Sequence, residues 1–220
     1  MGTNLVSGLI GFLVGVPFAL IFVPHLAARQ AQTMGRAAAL RQAPVLVSQF
    51  RDTLLGGFPS DTSGGARERL KVLLTASKAL SFAAKPQPGE IRGPGSSHLA
   101  DQIDEVNRAL EQAFVVKARN SQQKVWFAEL RAYWRQLETV LGPHLYDVGL
   151  RPEQPVQIEA ALTKLTADRD TPFLRMTGGS SVPPAQLRML ASAMINSVGA
   201  LLYLLDQLDD LERIGRASAS

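Results

Sequence analysis

The chain has 220 residues, 46% of them hydrophobic but only 6% aromatic, and carries 23 Lys and Arg against 19 Asp and Glu. That length suffices for an anchor and one domain with its own core, and the Leu- and Ala-rich mixture favours helices over strands. The absence of Cys excludes disulfides, thiolate catalysis and cysteine-ligated zinc, and a net charge of +4 is too small and dispersed an excess to imply nucleic acid.

The first element is SGLIGFLVGVPFALIFVP, from Ser7 to Pro24, which contains no charged side chain. Extended to Leu5–Val23 it is long enough to cross a hydrocarbon core of about 30 Å as a helix. No Lys or Arg precedes it, whereas a cleavable signal peptide needs a basic leading segment, so a permanent membrane anchor is expected. Arg29, Arg36 and Arg41 follow the span. The positive-inside rule therefore places the N-terminus outside and the remainder of the chain in the cytoplasm.

Ser7, Gly11 and Gly15 recur every four residues, a small-residue ridge on which a second copy could pack as a homodimer. The ordinary abundance of glycine in membrane helices accounts for the same ridge. Arg29, Arg36 and Arg41 are expected to contact anionic lipid headgroups or simply to fix topology. The next stretch, rich in Ala, Arg and Gln, continues as a juxtamembrane helix, interrupted first by Pro44, and GGFPSDTSGG forms a loop.

Four segments then show helical periodicity. Leu70, Leu73, Leu74 and Leu80 share one face of a helix over 66–84. After a Pro/Gly-rich connector over 85–97, a second helix buries Leu99, Ile103, Val106, Leu110 and Phe114. Its early Asp101, Asp104 and Glu105 suit the positive helix N-terminus. A turn near Asn120 and Ser121 separates it from a third helix carrying Phe127, Leu130, Trp134, Leu137 and Leu141. Trp126 and Tyr133 beside Lys124, Arg131 and Arg135 could stack on nucleic-acid bases, but at helical spacing a packed core edge is the plainer expectation. A shorter helix spans 155–168. The GGSS before the next helix lacks the Gly-Lys-Ser/Thr ending of a nucleotide-binding loop and is read as a helix entry.

The last helix carries a regular seam of Leu187, Leu190, Met194, Ser197, Leu201, Leu204, Leu208 and Leu211, as in a coiled coil or an inner bundle helix. Residues 189–205 contain no charge, so a second membrane span is the alternative. The polar Ser192, Asn196 and Ser197 and the charged continuation of the seam favour a buried helix.

No catalytic residues and no cofactor are expected. His25, His98 and His144 are scattered, and His98 with Asp101 and Glu105 is weak as a metal set because acids are commonplace in a first helical turn. The expected class is all-α. It comprises a transmembrane anchor over 1–24, a juxtamembrane helix over 25–58, a loop over 59–65, a bundle of about five helices over 66–216, and a disordered tail over 217–220. The composition suggests a bacterium. The expected partners are membrane lipids, a second copy and an unidentified protein, but no nucleic acid. The corresponding function is an anchored adaptor or assembly factor at the inner face of the membrane. A membrane-bound ligand sensor or enzyme with a site inside the bundle, and a transport-accessory protein with a second span, are the alternatives.

Overall fold

A computed structural model describes residues 34, 37–39, 41–85, 96–115, 122–142, 153–167, 173, 175–176 and 182–219. The apolar run over 5–23 and its small-residue ridge lie outside the described residues. All the regular structure among those described is helical. We label the elements α1 (41–55), α2 (Ser63–Ala83), α3 (Ser96–Ala113), α4 (Gln123–Leu141), α5 (Gln154–Ala167) and α6 (Pro184–Ala219).

The bundle thus has about six helices rather than five. The added member is α1, which the sequence reading sets apart as a juxtamembrane helix. Its Ala43, Leu46, Val47, Phe50 and Leu54 are buried in the common core, because their steps of three and four put them on one face. The following loop, 56–62, begins and ends three residues earlier than the expected 59–65. Thr62 takes an extended conformation and its hydroxyl accepts from the Gly65 N–H, so α2 starts at Ser63 despite two glycines in its first turn.

Two hydrogen-bond series fix the directions of the helices. Ser63 Oγ donates to Asp209, and one turn later Arg67 donates to Asp206 and to the Leu205 carbonyl. Moving forward along α2 therefore means moving back along α6, and this antiparallel pair is the most extensive in the bundle. Gln154 of α5 reaches Gln207, and Gln157 accepts from Tyr203, so α5 is also antiparallel to α6. On the other side of α2 lies α3, with Arg69 donating to the Gln112 carbonyl at its end.

The α1–α2 turn is closed around Trp126. An α-helix leaves its last four carbonyls without helical partners, and α1 satisfies all of them. Gly56, Gly57 and Phe58 N–H groups donate to Asp52, Leu54 and Leu55, while Trp126 Nε1 donates to the Thr53 carbonyl at 2.8 Å. The indole lies so close to Gly57 that a Cβ there would sit 2.1 Å from the ring, which is why only glycine fits. The Gly57 carbonyl in turn accepts from Val115 N–H, joining this turn to the end of α3.

Around it sit Phe58, Phe114, Phe127 and Phe173, with ring centroids 4.5 to 6.2 Å apart. Two buried polar side chains hold the segment before α6 against this cluster. Asn107 donates to the Met176 carbonyl and accepts from the Met176 N–H, both at 2.8 Å. Gln123 accepts from the Phe173 N–H. Each amide satisfies peptide groups that burial would otherwise leave unpaired.

Trp126 and Trp134 differ in one respect. Both are buried, but Trp134 Nε1 has no hydrogen-bond partner among the described residues. We expect Trp126→Phe to cost more than Trp134→Phe by about 1 kcal/mol, since only the former breaks a hydrogen bond and frees a helix-end carbonyl. Urea unfolding of the full-length protein in detergent micelles measures the order, and equal losses would mean that the Thr53 bond is not stabilising.

Candidate functional site

Of the residues expected to meet lipid, Arg29 and Arg36 lie outside the described residues and Arg41 is exposed on α1. Ser7, Gly11 and Gly15 also lie outside them. In the seam of α6, Leu187, Met194, Ser197, Leu201, Leu204, Leu208 and Leu211 are buried against this chain's own helices, whereas Leu190 is 38% exposed. The seam is consumed within one chain.

Trp126 is likewise inside, in the aromatic cluster, and Tyr133 is half-buried against the hydrophobic core. His98, Asp101 and Glu105 are exposed on α3, and among the described residues no group of three His, Asp or Glu is placed to hold a metal ion. His25, His144 and the GGSS segment lie outside the described residues.

Among the described residues the densest polar convergence is at DQLDDLER in α6, which the sequence reading treats only as the charged continuation of the seam. Arg67 Nε lies 2.9 Å from Asp206 and Arg67 Nη2 lies 2.6 Å from both the Leu205 carbonyl and Asp209. Arg51 of α1 pairs with Glu212 at 2.9 Å. Gln154 of α5 bonds Gln207 and Asp210, and Arg213 also pairs with Asp210. Three helices are thus pinned to two turns of α6.

Burial alone would lower the Arg67 pKa, but the hydrogen bonds and negative charge of Asp209 and Asp206 outweigh it and raise the pKa. A guanidinium in this setting stays charged throughout and works as a fixed fork. A second pairing joins α4 to α5, where Arg131 Nε lies 3.0 Å from Glu159 and the Thr163 and Thr166 hydroxyls surround the same guanidinium. These arrangements neutralise charge between helices. Their chemistry is that of clamps.

No family model matches the chain, and neither the curated proteins nor the solved structures include a match.

The Arg67 clamp should be worth more than an ordinary surface pair, because its guanidinium is largely covered while its partners remain half-exposed. Arg67→Met is expected to lower stability by about 1 kcal/mol, against little change for Lys71→Met, whose pairing with Glu68 is fully at the surface. Thermal unfolding of the two variants decides between them, and equal effects would deny the clamp any special weight.

Proposed function

We propose that the protein is a membrane-anchored helical adaptor or assembly factor, acting through protein–protein contacts at the inner face of a bacterial membrane. The observation that carries this reading is the position of α1. The sequence passes from an uncharged run ending at Pro24 to a helix buried in the bundle core by Ala43. An anchor joined to a core helix through so short a segment holds the bundle close to the bilayer. Such a bundle presents its outer helical faces to whatever assembles there. The basic flank after the run supports a cytoplasmic bundle, Arg41 being one of its headgroup contacts.

A second reading is favoured by one specific feature. Among the described residues, the stretch Pro184–Arg213 is long and apolar enough to cross a membrane, which would suit a transport-accessory protein with two spans. Against it, its apolar side is occupied by α2 and α5, and Arg67 and Gln154 reach its later turns. In hydrocarbon that side would face lipid, and the polar partners would be costly to bury.

The Cys-free chain allows a direct test. Gln49→Cys on the exposed side of α1, and separately Ser220→Cys, are labelled with a membrane-impermeant maleimide on intact cells. Protection of both until lysis is expected. Labelling at position 220 alone would establish the second span, and labelling of both would put the bundle outside. Crosslinking in native membranes should then capture a reproducible partner or a second copy, and capture of neither would count against an adaptor.

A further inference from the structure

The directions of the helices determine which end of the bundle faces the membrane. Buried residues run along α1 from Ala43 to Leu55, so its two ends lie at opposite ends of the bundle. The end at Leu55 adjoins the start of α2, and Val115 and Trp126 bring the end of α3 and the start of α4 there too. The start of α1, which leads back to the apolar run, therefore shares its end of the bundle with the close of α2. The pairing of Ser63 with Asp209 and Arg67 with Asp206, continued along the antiparallel pair, sets Phe82 level with Leu190.

Among the described residues, the bulkiest exposed apolar side chains gather at that end. Met34 is 72% exposed, Phe82 71%, Met189 69% and Leu190 38%. Among the described residues the remaining large exposed apolar side chains are the valines 45, 72, 125 and 156, distributed elsewhere on the surface. Single exposed apolar residues are ordinary, but concentration at one end is not random. Lys85 holds its ammonium 5.0 Å over the Phe82 ring, and Arg41, Lys78 and Arg188 are exposed around the same end. An apolar ring beneath a cation matches the headgroup layer, where apolar bodies enter and charged tips stay with phosphate. Acidic groups are present as well: Asp101 of α3, with Asp104 and Glu105 a turn further on, and Glu138 of α4. The attraction is thus supplied by the basic rim rather than by net charge.

We propose that this end of the bundle docks on an anionic membrane surface, with Phe82 and Met189 entering the headgroup layer and Arg41, Lys85 and Arg188 meeting lipid phosphate. The inference rests on the anchored reading given above. A tether makes weak contacts sufficient, since the bundle is already concentrated at the bilayer.

The test uses full-length protein reconstituted into vesicles of phosphatidylcholine with a minority of phosphatidylglycerol. Nitroxides are placed singly by Ala79→Cys and Ser192→Cys near the proposed face, and by Val125→Cys and Ala128→Cys at the opposite end. Docking predicts that the ratio of oxygen to nickel-chelate accessibility rises several-fold at 79 and 192 relative to 125 and 128. Adding Phe82→Ser and Met189→Ser should return label 79 to the ratio of the controls, with helicity unchanged by circular dichroism. Vesicle-bound protein with equal ratios at all four sites would overturn the docking while leaving the anchor standing. Failure of every variant to float with vesicles would overturn both.

Discussion

The contact on which most of this structure depends is the indole of Trp126 against Gly57. It finishes α1 by taking the Thr53 carbonyl, and it permits the turn into α2 only because no side chain occupies position 57. The same ring touches Phe58, Phe114 and Phe127, which brings the ends of α1, α3 and α4 to one place. A turn between helices ordinarily leaves carbonyls to water. Here a side chain from a distant helix supplies the missing donor, so the hairpin cannot form fully until α4 has docked. The geometry makes the bundle a cooperative unit instead of a chain of hairpins.

The second constraint is the length of α6. At 36 residues it outruns the other described helices, and its apolar stripe needs more than one neighbour to cover it. The helices α2 and α5 both run antiparallel to it, and Arg51 of α1 reaches its later part. Their polar termini arrive at the DQLDDLER segment, where Arg67, Arg51 and Gln154 meet carboxylates and amides that would otherwise compete for water. Pairing at that end fixes the register along the whole helix, because sliding α2 by one turn would separate Arg67 from Asp206 and Asp209 together. Apolar packing sets how strongly these helices associate, and the clamp selects which alignment they adopt.

The helical class and the faces of α2, α3, α4 and α6 could be read from steps of three and four, since that spacing is a direct consequence of 3.6 residues per turn. What could not be read were contacts between residues far apart in the chain. Pro44 and the Ala- and Gln-rich stretch before it hid α1 as a core helix, because Ala stripes carry a weak apolar signal. The role of Gly57 depends on Trp126, and the two are separated by two intervening helices. Asp206 and Asp209 look like a solvated helix end unless Arg67 is known to lie opposite. Asn107 and Gln123 gave no signal at all, since a lone amide in a helix announces neither its burial nor its partner. Leu190 fitted the seam by spacing, yet it lies near the start of α6 where the neighbouring helices no longer cover every side.

Leu190 and Phe82 lead to the last point. Where an antiparallel helix pair ends, fewer neighbours remain to bury its side chains, and soluble proteins usually put polar residues there. This chain instead ends the α2–α6 pair with Phe82, Met189 and Leu190, and does so at the end from which α1 departs toward the apolar run. At the opposite end the aromatic residues are turned inward around Trp126, and the polar clamp of α6 faces outward. The bundle is therefore polarised along its axis. For the anchored bundle proposed above, this polarity sets the same end toward the bilayer. Because α1 is part of the core, this polarity is built into the fold and is lost only if the bundle itself comes apart.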